Sequence, residues 1–166
     1  MSAIVLPPEV GSPPAVKTPM LPFLQGMHEQ WLQEVRSVLD PARSETGGIW
    51  LRWRAIDYLE TGFKRRFDRE LRAVHSLHGR LTGPQAGHLW VAGELVGQLL
   101  ENMRHQVGLC HRAEQFSSLA VTLMSALEYW CREVEESLGP LRWGELAAES
   151  RVLFETITYD EVTLGA

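Results

Sequence analysis

The clearest pattern of hydrophobic and polar positions runs from Ile49 to Leu81. Apolar residues recur there at steps of seven, seven, four, seven and seven, which keeps them on one side of an α-helix. These apolar positions are Ile49, Ile56, Phe63, Phe67, Val74 and Leu81. The opposite side carries Arg54, Arg65, Arg69, Arg72 and Ser76. The stretch therefore predicts a long amphipathic helix that buries its apolar side against other parts of the chain.

Three further segments have the helical period. One extends from about Leu24 to the Asp40-Pro41 pair, and another begins at Pro84, which suits the first turn of a helix. The last begins near Ala113 and ends before Gly139-Pro140, a strong helix stop signal. Four amphipathic helices joined by short loops predict an all-α fold, specifically an antiparallel four-helix bundle.

The two ends of the chain differ from this helical part. Residues 1–22 contain six of the nine prolines, so we predict a flexible, Pro-rich arm there, followed by a helical bundle over residues 23–150. A short helix over residues 141–150 is expected to end the bundle. Residues 151–166 are predicted to be extended, because Phe154 to Leu164 is rich in β-branched and aromatic residues.

Size and charge narrow the class of protein. A chain of 166 residues suits one domain, and its net charge of −5 disfavours nucleic-acid binding through bulk charge. No signal-peptide pattern opens the sequence, and no apolar run is long enough to span a membrane, so we expect a cytoplasmic protein. Cys110 and Cys131 fit buried free thiols, with a disulfide or redox pair as the alternative.

Motifs for catalysis are missing from the sequence. It contains no Gly-x-Ser-x-Gly, no Gly-rich phosphate loop and no Glu-x-x-His of the kind found in di-metal bundles. Neutral imidazoles with a carboxylate suit zinc or iron, and the candidates for such a site are His28, His75, His78 and Glu60. The alternative is a hydrogen-bonded core histidine and two surface histidines near a helix end. The sequence specifies no cofactor.

Charge is unevenly distributed along the chain. Residues 50–81 hold eight basic and four acidic side chains, whereas residues 101–166 hold eleven acidic side chains and five arginines. Arg65, Arg69 and Arg72 form one row on the long helix, called the basic row below. This row could meet an acidic protein, an anionic membrane or a phosphate backbone. Otherwise it is a solvated face, partly paired with Glu133, Glu135 and Glu136.

Six tryptophans are more than the core of a bundle this size requires. Trp31 and Trp130 lie on apolar stripes and are predicted to be core residues. Trp50 and Trp53 alternate with Arg52 and Arg54, as in interface-anchoring segments. Trp90 and Trp143 lie off the stripes and are candidates for covering a bundle end or for a subunit contact. The alternative is that Trp50, Trp53 and Trp143 together cap one end of the core.

The sequence favours a non-catalytic helical protein–protein interaction module, such as an adaptor, an assembly factor or a subunit of a complex. Its predicted partner-binding residues are Trp50, Trp53, Arg65, Arg69 and Arg72. The partner is expected to be another protein or a further copy of the chain. A bundle that binds a metal or small molecule is the alternative, and nucleic-acid binding through the basic row is a weaker third hypothesis.

Overall fold

The described part of the chain is predominantly α-helical and contains no β-strand. A computed structural model describes residues 17–105 and 107–157. Its α-helices are α1 (Leu21–Ala42), α2 (Gly48–Tyr58), α3 (Lys64–Ser76), α4 (Gly83–His105), α5 (Ala113–Leu138) and α6 (Ala148–Thr156). Short 3₁₀ turns connect several of them. The predicted all-α class is confirmed, whereas most of the predicted Pro-rich arm lies outside the described residues.

A π-helical turn at Leu59–Phe63 joins α2 to α3 in one helical run. The run ends at Ser76, before a 3₁₀ turn at His78–Arg80. The prediction that the helix reaches Leu81 is therefore wrong. The middle of the predicted apolar stripe is buried, whereas Ile49 at its start is 42% exposed. The start and centre of the long helix were thus predicted correctly, whereas its end is earlier than predicted and Ile49 is not buried.

Aromatic rings link the helices through the core. Trp31 of α1 meets Phe63 edge-on at 6.0 Å between ring centroids, and Phe63 stacks on Phe67 at 6.2 Å. Phe67 then meets Trp130 of α5 edge-on at 5.4 Å. Such rings contribute large buried apolar areas and favourable edge-to-face geometry. The predicted core positions of Trp31 and Trp130 are confirmed, since both are buried.

Helix α5 runs antiparallel to its neighbour α1. Arg36 of α1 binds Glu128 of α5 at 2.6 Å, while the earlier His28 lies beside the later Glu135. The bounds of α5 match the prediction, because its apolar seam is buried from end to end and Gly139-Pro140 follows directly.

Helix α4 also runs antiparallel to α5. His88 near the start of α4 faces Glu133, and a Cβ added to Gly93 would come within 3.2 Å of the Trp130 ring. Gly93 therefore permits close packing of these two helices.

Two helix boundaries differ from the predictions. Helix α1 continues past Pro41 to Ala42, because a proline in the last turn removes only one backbone hydrogen bond while Leu39 and Ala42 are buried. Helix α6 includes Phe154, which was predicted to be extended. Phe154 packs against Trp143 at 6.3 Å between centroids and is fully buried, so tertiary packing overrides its strand propensity.

Residues Lys17–Met20 pair with the chain after α5. Met20 donates its backbone N–H to the carbonyl of Leu141 at 2.8 Å, and Trp143 donates to Thr18 at 3.1 Å. Trp143 is buried between Phe23 and Phe154, so it belongs to the core at this end of the molecule.

We expect Gly139→Ala to destabilise the protein by about 1–3 kcal/mol. The added Cβ would collide with the Glu135 carbonyl oxygen and lie 2.8 Å from Leu21 Cδ1. Gly97→Ala is the matched control: nothing lies within 4 Å of its added Cβ, and alanine should stabilise α4 by up to about 1 kcal/mol. Urea denaturation compares the two, and equal effects of the same sign would contradict the close approach at Gly139.

Candidate interaction surfaces and buried polar cluster

The start of α2 exposes two tryptophans on one side. Trp50 is 75% exposed and Trp53 is 54% exposed, with Ile49 beside them. Their spacing of three and four residues places all three on neighbouring positions of the helix surface. Ile49, Trp50 and Trp53 are called the tryptophan face below. Large aromatic side chains that are this exposed are typical of contact sites rather than of a cap over the core.

Arg52 fixes the helix beneath this face. It is buried, and its guanidinium donates from Nε to the Cys110 carbonyl at 2.7 Å. Nη1 donates to the carbonyls of Ala42 and Ser44 at 3.4 and 3.3 Å. Arg52, which alternates with the tryptophans in sequence, therefore does not share their exposed surface, because its side chain binds backbone acceptors inside the fold.

The basic row lies on α3, in the same helical run as the tryptophan face. Arg65 and Arg72 are exposed and Arg69 is half-buried. Twelve residues separate Trp53 from Arg65, which is about 18 Å along a helix. Helix α6 packs on α3, where Ser76 Oγ donates to Ser150 Oγ at 2.9 Å. The sequence placed Ser76 on the polar, solvent-facing side of the long helix. Helix α6 thus covers part of that side.

Two of the glutamates suggested as partners of the basic row contact histidines. Glu133 lies 3.6 Å from His88, and Glu135 lies 3.4 Å from His28. Arg66, the neighbour of the row, binds Glu34 of α1 at 2.5 Å. Charge pairing on α3 therefore ties this helix to α1.

A buried ion pair lies where α1, α3 and α5 meet. His28 Nε2 is 2.5 Å from Glu70 Oε1, and both residues are almost fully buried. The Nδ1 atom of His28 is 3.4 Å from Glu135 Oε1, which is an ion-pair distance without the alignment of a hydrogen bond. The Cys131 thiol completes the surroundings of the ring. His28 was correctly placed on the apolar side of α1, and it is held there by a carboxylate.

The environment of His28 favours its charged form. Burial alone would lower the pKa of its imidazole, but the negative charge of Glu70 and the neighbouring side chains of Cys131 and Glu135 raise this pKa well above 6.5. Burial raises the pKa of the neighbouring Cys131 thiol, which keeps it protonated. The cluster therefore holds a proton on His28 and a neutral thiol beside it.

Glu70 is the residue that the sequence reasoning missed. It was counted among the acidic side chains of a charged region, yet it is fully buried. One signal was available: Glu70 lies three residues after Phe67 and four before Val74, so it falls on the apolar stripe itself. A lone acid on such a stripe, with a histidine on another stripe, indicates a buried pair.

The four candidate metal ligands lie in different places. His28 is in the core, Glu60 is beside Arg104 at 3.6 Å, and His75 and His78 line a surface groove. Within residues 17–105 and 107–157, no three His, Cys, Asp or Glu side chains form a group that could hold a metal ion. Cys110 and Cys131 are both free and buried.

The groove between the end of α3 and the start of α4 has a volume of about 390 Å³. Apolar side chains form most of its wall, and Ala86 and Gly87 keep it open on the α4 side. Trp90 borders it and is 61% exposed. Trp90 thus lies at the surface, unlike the buried Trp143.

The groove belongs to a surface on which α4 exposes further apolar residues. Val91 and Leu95 follow Trp90 and are exposed as well.

No helix among the described residues combines the length and the hydropathy required to cross a bilayer.

We expect the free energy of unfolding to fall as the pH rises above about 6.5, with a slope of up to about 1.4 kcal/mol per pH unit from His28. The unfolded chain releases this proton near pH 6.5, whereas the folded protein keeps it, so the unfolded state binds fewer protons. The contribution is complete below pH 6.5. Urea denaturation at a series of pH values below and above 6.5 measures this pH dependence of the free energy of unfolding. The same slope in a His28→Leu/Glu70→Leu variant would contradict its assignment to His28.

The effects of substituting His28 and Glu70 on the free energy of unfolding should be strongly non-additive. His28→Leu alone should cost about 3–5 kcal/mol, because it leaves the Glu70 carboxylate buried without its cation. His28→Leu/Glu70→Leu should cost much less, since no buried charge remains. Chemical denaturation of both single variants and the double variant tests this. A double variant as unstable as the sum of the single variants would show that the two side chains act independently.

Comparison with known proteins assigns no family to this chain. No protein-family model, curated protein or solved structure matches it. The tryptophan face, the basic row and the buried pair are therefore the basis for a functional conclusion.

Proposed function

We propose that this protein is a non-catalytic helical interaction module, a subunit or assembly factor that binds another protein. Its scaffold would be an antiparallel four-helix bundle of α1, the α2–α3 run, α4 and α5. The observed helix pairs support this arrangement, because α1 packs on α2 and α5, and α4 packs on α5. The two free, buried cysteines suit a reducing compartment such as the cytoplasm.

The observation that carries the proposal is the exposure of Trp50 and Trp53 on a firmly anchored helix. Tryptophan is enriched among the residues that dominate binding energy at protein interfaces. Arg52 holds α2 from below through three backbone acceptors, so the face is already ordered before a partner arrives. A preordered surface loses less conformational entropy on binding, which favours affinity.

The charge around this face indicates the chemistry of the partner. Arg54 is exposed next to Trp53, and the basic row follows on the same helical run. Residues 50–81 carry twice as many basic as acidic side chains. An acidic protein surface with an apolar centre would complement both features, and electrostatic attraction would speed the encounter.

The alternative is a bundle that binds a small molecule. The groove beside His75, His78 and Trp90 supports it, since its volume lies within the range of ligand pockets. The groove is partly open to solvent and would enclose a small molecule incompletely, so we favour the interaction module.

Trp50→Ala/Trp53→Ala should abolish capture of the partner while leaving the fold intact. Truncating hot-spot residues costs about 2 kcal/mol or more each in binding, whereas exposed positions change stability by about 0.5 kcal/mol or less. Native mass spectrometry of protein purified gently from its own host identifies the partner. Titration calorimetry then compares the variants.

Val152→Ala is the control for this test, because Val152 is an exposed apolar residue on α6, away from the tryptophan face.

Arg65→Glu/Arg69→Glu/Arg72→Glu should slow association and reduce its dependence on salt. Unchanged partner affinity in both the tryptophan and the arginine variants would refute the proposed binding surface.

A further inference from the structure

The exposed side of α4 is poor in charge and apolar at its centre. Between Gly83 and Leu100 the only formally charged residue is Glu94, although charged residues make up 22% of the chain. Val91 is 54% exposed and lies at the middle of this side. The exposed residues around it, called the α4 face below, are Gly87, His88, Val91, Glu94, Leu95 and Gln98. Low charge with exposed apolar groups is the composition of an interface centre.

We propose that two copies of this chain associate through their α4 faces, antiparallel about a two-fold axis at Val91. This interaction goes beyond the proposed function, because it uses a different surface and needs no other protein. In a two-fold contact each residue meets the same surface of the other copy, so like charges recur opposite one another. The basic row would repel its own copy for that reason, whereas the α4 face is compatible with itself.

The pattern of residues about Val91 is self-complementary. With the axis there, Leu95 of one copy lies opposite Gly87 of the other, and Glu94 lies opposite His88. Gly87 has open space around it and lines the groove of about 390 Å³, so a leucine side chain from the second copy has room to enter. Each copy thus presents both the projecting side chain and the recess, and each places a carboxylate opposite an imidazole.

Geometry makes the axis testable by a disulfide. Packed helices lie about 8–10 Å apart, with Cα atoms about 2.3 Å from each axis, so two facing Val91 Cα atoms would be about 3.4–5.4 Å apart. A disulfide joins Cα atoms about 4.4–6.8 Å apart, so the upper part of this range permits one. Cys110 and Cys131 are buried and do not compete for oxidation at the surface.

The first experiment oxidises purified Val91→Cys in the absence of any other protein. We expect covalent dimers on a non-reducing gel. Val121→Cys is the matched control, because Val121 has a similar exposure, 48%, but lies on α5. Cross-linking of Val91→Cys that is no faster than that of Val121→Cys overturns the proposal.

The second experiment blocks the recess without disturbing the fold. Gly87→Glu places its side chain in open space in a single copy, where replacing a helical glycine should not destabilise the chain. In the dimer it would displace Leu95 and face Glu94 of the second copy. Gly97→Glu is the control, since Gly97 is also exposed and uncrowded but lies about 120° away from Val91 around α4.

Sedimentation equilibrium reads out the mass of the wild type and both variants over a wide range of protein concentration. A dimer for the wild type and Gly97→Glu, with a monomer for Gly87→Glu, supports the α4 contact. A monomeric wild type, or a dimer that Gly87→Glu leaves intact, overturns it. Neither result depends on the Trp50 and Trp53 variants, so failure here is distinguishable from failure of the proposed function.

Discussion

The buried pair of His28 and Glu70 constrains how the helices of this protein pack. A charge in an apolar core is tolerated only with a closely placed partner, so α1 and α3 can approach in the register that brings these two groups to 2.5 Å. Glu135 adds a second negative group from α5. The aromatic contacts between Trp31, Phe63, Phe67 and Trp130 then fill the space around this fixed point. Apolar packing supplies much of the stability, and a shift of register between α1 and α3 would leave a buried charge without its partner.

Helix positions could be predicted from the sequence where local pattern and tertiary packing agree. The seam of α5 is regular and ends at Gly139-Pro140, so its bounds were predicted closely. The end of the chain was harder, because Phe154 has a preference for strands that only its contact with Trp143 overrides. The π-turn within the long helix was also not predicted, because the apolar steps on either side of Phe63, seven and four residues, both fit an ordinary α-helix.

The candidate site shows the same division. The sequence placed Trp50 and Trp53 together, and the structure exposes both. It could not assign Arg52, because an arginine that binds backbone carbonyls leaves no partner residue type to recognise. Of the candidate metal ligands, only His75 and His78 lie together, whereas His28 and Glu60 lie elsewhere, since residues far apart in sequence are brought together only by the fold.

The contacts of Arg52 also affect which substitutions this part of the molecule can accept over evolution. Arg52 binds carbonyl oxygens of Ala42, Ser44 and Cys110, and every amino acid supplies that acceptor. The hydrogen bonds themselves therefore place no demand on the side chain of the accepting residue. Ser44 is exposed and can change type if its backbone keeps its path, whereas burial still constrains Ala42 and Cys110. The donor has no such freedom, because lysine has a single ammonium group and cannot reproduce the separate Nε and Nη1 bonds. In related sequences, we expect an invariant arginine at this position, small or apolar residues at 42 and 110, and free variation at 44.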